Sequence, residues 1–452
     1  MSSAVKPSSA VIVGLGRTGL SCARHLHSLG WRIAVTDTRA QPPELKRLRQ
    51  LYPDVTVRLG TLDTQLLDDA VCVVASPGVP LADPFFAEAR ARGLEIVGDI
   101  EMFARVVDAP VVGITGTNGK STVTTLVGRM AERAGVKVRV GGNLGEPALD
   151  LLAAAHGCAE ITQLYVLELS SFQLETTQSL DLRAATVLNV TPDHLDRYAS
   201  VEAYADAKAR IFARCDTAVI NLDDPLVVAM PRPGQHTLSF SLRASIGADY
   251  AVAINDAGEV WLTRRGEPVL SVSAMKIKGL HNAANALAAL ALGEALELPL
   301  TVMLAELREF AGLAHRSQWV AEVDGVTYIN DSKGTNVGAT LAAVGGMRGP
   351  LVMIAGGDGK NQDFAPLADA LRGKVRHAVL IGRDAPSIAR VLQAVCSVES
   401  CNSLEDAVRA AARAAKPGDV VLLSPACASL DMFRDYTHRG AVFTQAVKDL
   451  AA

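Results

Sequence analysis

The sequence is poor in the features that most nucleic-acid-binding proteins need. Aromatic residues make up only 4% of the 452 residues, so few side chains are available to stack on bases. The 44 lysines and arginines do not outnumber the 48 aspartates and glutamates, and the net charge is −4. A chain without excess positive charge is a poor binder of a phosphate backbone. We therefore expect no nucleic-acid partner.

Cysteine pairs and long apolar runs are also missing. The seven cysteines are scattered, and no two have the C-x-x-C spacing of a zinc site. Such a pattern predicts free thiols in a reducing cytoplasm. The most apolar stretch, residues 282–300, is interrupted by Gly293, Glu294 and Glu297. A membrane span needs about 20 apolar residues in a row, so we expect a core helix and no membrane insertion.

Strand-like and helix-like segments alternate along the chain in three blocks. Apolar strands such as residues 10–14, 110–114 and 351–355 each run into a helical pattern. This alternation predicts an α/β fold with mostly parallel sheets. Residues 235–275 have short alternating runs and predict a small antiparallel insertion in the central block. Chain length fits three domains, for which we expect the bounds 1–98, 99–312 and 313–452.

The segment Thr115-Gly-Thr-Asn-Gly-Lys-Ser-Thr122 follows a strand and begins a helix. In such a loop the glycines let backbone N–H groups face a triphosphate, Lys120 meets the outer phosphates and Ser121 can bind Mg²⁺. The strict pattern needs a glycine at position 114, which is Ile114. A glycine-rich turn with an exposed lysine is the alternative.

Two polar residues interrupt apolar strands downstream of this loop. Glu168 ends the run Tyr165-Val-Leu-Glu, and His194 follows the strand that ends near Asn189. A buried lone carboxylate is costly unless it is paired or binds a metal, so Glu168 is a candidate Mg²⁺ ligand. His194 would lie at the carboxyl edge of the sheet, where α/β folds bind ligands. A glutamate at a solvent-exposed strand end and a structural histidine are the alternatives.

Lys208 lies on the apolar face of a helix predicted over residues 201–214. Its neighbours three and four residues away are Tyr204, Ile211 and Phe212, whereas the polar residues face the other way. Burial and nearby cations depress a lysine pKa. An amine kept neutral in this way can react with CO₂ to give a carbamate that bridges metal ions. A lysine that extends from a buried face to solvent is the alternative.

The N-terminal block carries a second nucleotide signature. Residues 14–19 fit G-x-G-x-x-G after a strand, and Asp37 ends the second strand. This pattern is typical of NAD sites. A nucleotide-sugar diphosphate satisfies the same geometry, so the motif alone leaves an oxidoreductase open. The complete phosphate loop downstream argues against one, because hydride transfer needs no ATP.

Taken in order, the motifs resemble those of the Mur ligases over nearly the whole chain. The resemblance rests on residues 116–122, 168–175, 189–198, 207–210, 281–282, 315–316, 330–336, 356–360 and 424–431. It implies a cytoplasmic enzyme of bacterial peptidoglycan synthesis. It also implies three domains: a Rossmann-like UDP-binding domain, a P-loop-like ATPase domain and a Rossmann-like C-terminal domain.

The resemblance also implies an activity. The enzyme would join D-glutamate to UDP-N-acetylmuramoyl-L-alanine and split ATP into ADP and phosphate. The alanyl carboxylate would attack the γ-phosphate to form an acyl phosphate, which the glutamate amine would then attack. ATP, two Mg²⁺ ions and a carbamylated Lys208 are the implied cofactors, and we expect a monomer.

Site residues are carried over by matching positions. Residues implied in catalysis are Lys120, Asn143, Glu168, His194 and Lys208. ATP would contact Gly116, Thr117, Asn118, Gly119, Lys120, Ser121, Thr122, Asn282, Arg316 and Asp331. The UDP substrate would contact Thr18, Asp37, Thr38, Arg39, Ser76, Gly78 and Asn143. D-Glutamate would contact Lys333, Thr335, Lys360 and Ser429, and the metal ligands would be Ser121, Glu168, His194 and carbamylated Lys208.

Two positions depart from the family pattern. Arg17 stands where an apolar residue is expected, and Tyr436 stands where phenylalanine is frequent. Other functions also stay open. A folylpolyglutamate synthase uses ATP and glutamate but would begin directly with the ATPase block. An NAD-dependent oxidoreductase would change nicotinamide absorbance on turnover. A non-catalytic binding protein is disfavoured by the intact phosphate and metal residues.

Overall fold

The structure, a computed structural model, describes residues 8–157, 161–194, 197–243, 247–277, 279–347, 349–359 and 362–450. The chain divides into two compact units. The first unit comprises residues 1–241 and 288–303, and the second comprises residues 242–287 and 304–452. Within the described ranges, no helix has the length and apolar character that a membrane span requires.

The first unit begins with a five-stranded parallel sheet. Its strands are Ser9–Val13 (β1), Arg32–Asp37 (β2), Thr56–Leu59 (β3), Cys72–Ala75 (β4) and Glu95–Val97 (β5). The accompanying helices are Arg17–Ser28 (α1), Leu45–Leu51 (α2), Pro84–Ala91 (α3) and Asp99–Ala104 (α4). The strand order is β3-β2-β1-β4-β5. The order reverses between β1 and β4, which is where doubly wound sheets bind ligands.

Six parallel strands of the second sheet also belong to this unit. They are Val111–Thr115 (β6), Val138–Gly142 (β7), Leu164–Glu168 (β8), Leu182–Val187 (β9), Cys215–Asn221 (β10) and His236–Ser241 (β11). Between them lie Lys120–Arg133 (α5), Ala148–His156 (α6), Ser171–Glu175 (α7), Val201–Ala209 (α8) and Pro225–Val228 (α9). The order β11-β10-β9-β6-β8-β7 places β6 between β8 and β9.

One hydrophobic core joins the two sheets of the first unit. Ile12 and Leu20 belong to the same buried cluster as Leu151 and Tyr165. The Phe103 ring meets the Tyr165 ring edge to face at 5.2 Å between centroids. Burial of this shared apolar surface stabilises the unit as one body, so loops at the carboxyl edges of both sheets have defined relative positions.

The second unit contains an antiparallel meander of three strands, Tyr250–Ile254 (β12), Val260–Arg264 (β13) and Glu267–Ser271 (β14). The predicted antiparallel insertion is therefore confirmed for this part. It is wrong for residues 236–241, because β11 pairs in parallel with β10. Two helices, Leu280–Ala295 (α10) and Leu300–Glu309 (α11), cross the division between the units.

The rest of the second unit forms a six-stranded sheet. Its strands are Gln318–Val323 (β15), Val326–Asn330 (β16), Leu351–Gly356 (β17), Val375–Ile381 (β18), Ser397–Ser400 (β19) and Val420–Leu423 (β20). Its helices are Val337–Gly346 (α12), Ala365–Leu371 (α13), Ala385–Leu392 (α14), Leu404–Ala414 (α15) and Tyr436–Leu450 (α16). The order is β15-β16-β20-β17-β18-β19, and only the edge pair β15–β16 of this sheet is antiparallel among the described residues.

Helices cover both faces of this sheet. Along β17, Met353 and Ala355 belong to one buried cluster, whereas Val352 and Ile354 belong to another. Successive strand residues point to opposite faces, so the strand is apolar throughout. The predicted α/β fold with mostly parallel sheets is confirmed.

Candidate active site

The loop between β6 and α5 has the backbone that an anion site requires. Gly119 is the N-cap of α5 with φ of +86°, and Gly116 has φ of +143°. Both values lie where residues with a Cβ are strained. At Gly116 a Cβ would also lie 3.0 Å from Cβ of Leu188. The loop thus leads directly into a helix N-terminus, whose free N–H groups favour phosphate.

Gly113 precedes Ile114, the position at which the strict motif needs a glycine, and it has a packing role. It lies inside β6, where an added Cβ would come within 2.9 Å of the Leu182 side chain and 3.1 Å of the Ile211 side chain. Its backbone is part of the sheet ladder opposite Leu167 and Ala185. The departure from the strict motif therefore leaves the loop geometry intact.

Asn189 and Thr191 hold this loop from the neighbouring strand end. The Asn118 N–H donates to Asn189 Oδ1 (2.8 Å), and Asn189 Nδ2 donates back to the carbonyl oxygen of Asn118 (3.1 Å). The N–H of Thr117 donates to the carbonyl oxygen of Asn189 (2.9 Å), and the N–H of Thr191 donates to Thr117 Oγ1 (3.1 Å). The loop is thus fixed before any ligand binds, which lowers the cost of binding.

Glu168 is buried at the carboxyl end of β8, beside the first turn of α5. Ser121 Oγ donates to its Oε2 (2.5 Å), and Asn143 Nδ2 donates to its Oε1 (2.6 Å). The side chain of Glu168 is 3% exposed, and Ser121 is buried too. A carboxylate, a hydroxyl and an amide are donor types that suit Mg²⁺. The structure therefore brings into direct contact two predicted metal ligands, Ser121 and Glu168, and Asn143, which was predicted to contact the UDP substrate.

Asn143 reaches Glu168 because of a tight turn after β7. The N–H of Asn143 donates to the carbonyl oxygen of Glu168 (2.8 Å). Gly142 precedes it with φ of +96°, and a Cβ there would lie 2.5 Å from the same carbonyl oxygen. Only glycine allows the two backbones to approach this closely, so the turn is specified by sequence.

Lys208 is buried, as predicted from its helical face. It lies in α8, which ends at Ala209 and passes into a single 3₁₀ turn, so the predicted helix to residue 214 is too long. Its Nζ donates to the carbonyl oxygen of Gly116 (3.0 Å) and lies 4.3 Å from the centroid of the Tyr204 ring. Burial, followed by the charge of Lys120, lowers the pKa of Lys208 to about 6.

His194 lies in the loop after β9 with a strained backbone, φ of +53°. Its ring contacts the Phe172 ring edge to face, 4.9 Å between centroids, and the Tyr204 ring at 6.0 Å. Its side chain is 44% exposed. Among the described residues, no three His, Cys, Asp or Glu side chains form a cluster that could hold a metal ion. The second predicted metal site therefore stays a prediction.

A cavity of about 500 Å³ opens at the reversal point of the first sheet. All seven residues predicted to bind the UDP substrate line it. It extends from Gly14, after β1, to Asn143 and Pro147, after β7. A cavity that is continuous from the first sheet to Asn143 fits an elongated ligand with a nucleotide at one end and a reactive group at the other. Arg17, which departs from the family pattern, lines it as well.

Asp37 organises the end of this cavity that lies next to β1 and β2. The N–H of Leu15 donates to its Oδ2 (2.7 Å), and Arg39 donates through Nε to Oδ1 (2.9 Å) and through Nη2 to Oδ2 (2.7 Å). Burial opposes ionisation of this carboxyl, but these hydrogen bonds outweigh burial and lower its pKa. Asp37 therefore holds the glycine-rich turn and the Arg39 guanidinium in fixed positions.

The second unit carries the other predicted nucleotide residues. Asp331 follows β16 and accepts hydrogen bonds from Ser424 Oγ (2.8 Å) and the N–H of Ser317 (3.0 Å). Burial raises the pKa of Asp331 to about 6. Asn282 is buried in α10 and its Oδ1 accepts from Asn285 Nδ2 (3.2 Å). Arg316 lies next to Ser317, so the structure places Arg316 and Asp331 near each other.

The predicted amino-acid site lies at the carboxyl edge of the third sheet. Lys333 and Thr335 follow β16, and buried Ser429 follows β20. Lys333 Nζ lies 4.2 Å from the centroid of the Tyr436 ring. Tyr436, the second departure from the family pattern, thus contacts a predicted ligand of glutamate. Lys360 lies outside the described residues.

Several supporting residues were not predicted. Arg439 is fully buried and donates through Nη2 to the carbonyl oxygen of Ser332 (2.8 Å) and through Nη1 to that of Cys427 (3.1 Å). It therefore holds the loops after β16 and β20 together. Asn189 and Phe172 have the corresponding roles in the first unit. Phe172 and Asn189 lie inside motifs of the family resemblance and Arg439 lies beyond the last one, but only tertiary contacts reveal what these residues hold.

Comparison with known proteins places the chain in a family. Three family models match it: a Mur ligase MurD-like N-terminal domain over residues 8–98, a Mur ligase middle domain over 114–293 and a Mur ligase glutamate ligase domain over 315–427. The chain is 51% identical to the UDP-N-acetylmuramoylalanine–D-glutamate ligase of Nitrosococcus oceani, covering 98% of this chain and 97% of that one. The chain belongs to the Mur ligases.

Other Mur ligases match this chain along nearly its full length, in sequence or in structure. The UDP-N-acetylmuramoylalanine–D-glutamate ligase of Marinobacter nauticus is 50% identical, and the match covers 100% of both chains. Among solved structures, the UDP-N-acetylmuramate–alanine ligase of Thermotoga maritima has a TM-score of 0.59 at 18% identity, covering 98% of this chain and 99% of that one. At this identity the structural match supports the Mur ligase fold alone.

Proposed function

We propose that this Mur ligase joins D-glutamate to UDP-N-acetylmuramoyl-L-alanine, with cleavage of ATP to ADP and phosphate, in peptidoglycan precursor synthesis. The chain is about 50% identical, over nearly its full length, to relatives that carry the name of this activity, and this similarity supports the choice of substrates. One structural observation carries the chemistry: Glu168 is bonded both to Ser121 of the phosphate loop and to Asn143 of the 500 Å³ cavity. A phosphate donor and an elongated acceptor would thus meet at one carboxylate.

Different residues of the first unit have different roles in acyl phosphate formation. Gly116, Gly119 and the N-terminus of α5 bind the triphosphate of ATP. Lys120, the first residue of that helix, neutralises charge on the outer phosphates. Asn143, at the far end of the cavity, orients the alanyl carboxylate toward the γ-phosphate. Bringing the two reactants together removes most of the entropic cost of the reaction.

Ser121 and Glu168 would hold one Mg²⁺, because their oxygens are buried, adjacent and of the right chemistry. His194 and a carbamylated Lys208 would hold a second with Glu168. Mg²⁺ supplies positive charge that offsets repulsion between phosphate and carboxylate. The neutral amine implied by a Lys208 pKa of about 6 supports carbamylation, because only an unprotonated amine reacts with CO₂.

The second unit carries the residues that would bind the amino acid and others that would contact ATP. Lys333, Thr335, Lys360 and Ser429 would bind the two carboxylates of D-glutamate, and cationic donors suit that ligand. Asn282, Arg316 and Asp331 would contact ATP. We also propose the functional domain bounds 1–98, 99–312 and 313–452, a cytoplasmic location and a monomeric enzyme. The residues matched by the three family models support those bounds.

One assay tests the function. Phosphate release is measured with UDP-N-acetylmuramoyl-L-alanine, ATP and Mg²⁺, with D-glutamate, L-glutamate or no amino acid added. We expect sustained release with D-glutamate only, and a ligated product in equal amount. Release with L-glutamate alone, or none with any amino acid, would contradict the assignment.

A further inference from the structure

The turn that carries His194 is built on one aromatic ring. Phe172, in α7, contacts the His194 ring edge to face (4.9 Å between centroids) and stacks on Tyr198 with only 10° between the ring planes (5.9 Å). The carbonyl oxygen of His194 accepts hydrogen bonds from the N–H groups of Arg197 (2.9 Å) and Tyr198 (3.0 Å). Phe172 therefore supports both ends of this turn.

Arg197 lies on the same ring and reaches a different part of the unit. Its Cζ is 4.3 Å from the centroid of Phe172, a distance at which a guanidinium is attracted to the ring face. Its Nη1 points to the carbonyl oxygen of Pro77 at 3.5 Å, which is longer than an ordinary N–H···O hydrogen bond. Pro77 follows β4 and lines the 500 Å³ cavity between Ser76 and Gly78.

We propose that Arg197 is a positioning residue that ties the His194 turn to the rim of the UDP-substrate cavity. His194 needs such support, because its φ of +53° is unfavourable for a residue with a Cβ and its side chain is 44% exposed. Without a tie, the His194 ring would have other conformations available to it. The proposal deepens the proposed function and rests on it, since it assigns the cavity to the UDP substrate.

The chemistry of arginine explains why this residue type fits. A planar guanidinium can stack on a ring and still direct N–H groups outward in its plane, whereas a lysine ammonium is a point charge without a plane. The Ser76–Gly78 loop would contact the UDP substrate, and Arg197 connects this loop to His194. Loss of Arg197 should therefore affect binding of the UDP substrate and the chemical step, but not binding of ATP.

The test measures binding and turnover separately in Arg197→Ala, Arg197→Lys, Phe172→Leu and the Arg197→Ala/Phe172→Leu double variant. By calorimetry, Arg197→Ala should raise the Kd for UDP-N-acetylmuramoyl-L-alanine about tenfold, or about 1.4 kcal/mol. Its kcat should fall about tenfold, and the Kd for ATP should stay within about twofold. Arg197→Lys should fall between Arg197→Ala and the wild type. The double variant should be little worse than the worse single variant, because both side chains act through one support.

Arg214→Ala is the matched control, since the Arg214 guanidinium forms an exposed ion pair with Asp181 (2.7 Å). It should bind and turn over like the wild type. Additive losses in the double variant, unchanged binding and kcat in Arg197→Ala, or equal losses for both ligands with a lowered Tm in Arg197→Ala and Arg197→Lys would overturn the proposal. A wild-type enzyme that binds no UDP substrate would instead refute the proposed function, and this inference with it.

Discussion

Lys120 and Lys208 donate hydrogen bonds to the same oxygen atom, the carbonyl of Gly116, at 2.9 and 3.0 Å. One lysine begins α5 and the other ends the buried face of α8, 88 positions later in the chain. Two ammonium groups this close repel each other, and only Lys208 is fully buried. Burial and the neighbouring charge of Lys120 therefore lower the pKa of Lys208 to about 6, which favours its neutral amine.

Replacing Lys208 by alanine should lower kcat by at least about 10²-fold, the scale for loss of one preorganised electrostatic group. The alanine leaves space where the carbamate would be, so formate or acetate should partly restore phosphate release. Lys208→Arg is the matched control. It fills the same space with a permanent cation, cannot be carbamylated and should not respond to either anion. Near-wild-type activity of Lys208→Ala would remove the carbamate from the mechanism.

Glu168→Gln should also reduce kcat by about 10²-fold or more, because it removes the buried negative charge but keeps the side-chain length. The amide can still bond to Ser121 or to Asn143, so the fold should persist with little change in Tm. Phosphate release should require a higher Mg²⁺ concentration in the variant, and this dependence is the decisive measurement. Glu132→Gln, on the exposed side of α5, serves as the control. An unchanged Mg²⁺ requirement would argue against Glu168 as a metal ligand.

The parts of the fold and site that depend on local pattern could be predicted. Strand–loop–helix succession places the phosphate loop at the end of β6, and helical spacing predicts the burial of Lys208. The burial of Glu168 follows from an apolar strand that ends in a carboxylate. Each of these signals lies within about ten residues of sequence.

The remaining parts depend on contacts between distant segments. The parallel pairing of β11 with β10 was missed because a short run of alternating residues predicts a strand but not the direction of its partner strand. The end of α8 at Ala209 was missed because no glycine or proline marks the change to a 3₁₀ turn. The bonds of Asn189 and Arg439 to loops 71 and 107 positions away have no local signature.

Asp37→Ala should raise the KM for the UDP substrate about tenfold or more and leave the KM for ATP nearly unchanged. The variant frees both the N–H of Leu15 and the Arg39 guanidinium, which shape the nucleotide end of the cavity. Loss of charged hydrogen bonds of this kind costs about 1.5–3 kcal/mol each. Steady-state kinetics with each substrate varied in turn provide the check. Equal changes in both KM values, or tight binding of NAD in calorimetry, would contradict the assignment of this cavity.

Asn189→Asp should raise the KM for ATP and leave the KM for the UDP substrate nearly unchanged, the reverse of the effect expected for Asp37→Ala. The aspartate can still accept from the N–H of Asn118, but its second oxygen faces the Asn118 carbonyl oxygen that Asn189 Nδ2 now serves. Repulsion there should displace the phosphate loop and raise the KM for ATP about tenfold, which corresponds to about 1.4 kcal/mol. The KM for the UDP substrate should change less than about twofold. Asn255→Asp, in an exposed turn of the second unit, is the control, and the same loss in both variants would refute a specific role.

Asp99 should make the stability of the enzyme depend on pH. It is buried at the start of α4, where Gln173 Nε2 donates to its Oδ2 (3.0 Å), and burial raises its pKa from 3.8 to about 6. Because the folded protein holds this proton more tightly than the unfolded chain, the stabilisation is fully present below pH 3.8 and is lost as pH rises through about 6. Asp99→Asn removes that titration and keeps an oxygen for Gln173.

The free energy of unfolding of Asp99→Asn, relative to the wild type, should therefore increase as pH rises, by on the order of 2–3 kcal/mol across the whole window. Denaturant unfolding of both proteins between about pH 4.5 and about pH 7.5 measures most of this change. Asp256→Asn, in an exposed turn, should differ from the wild type by a constant amount at every pH. A constant difference for Asp99→Asn as well would mean that the buried carboxyl titrates no differently in the folded and unfolded states.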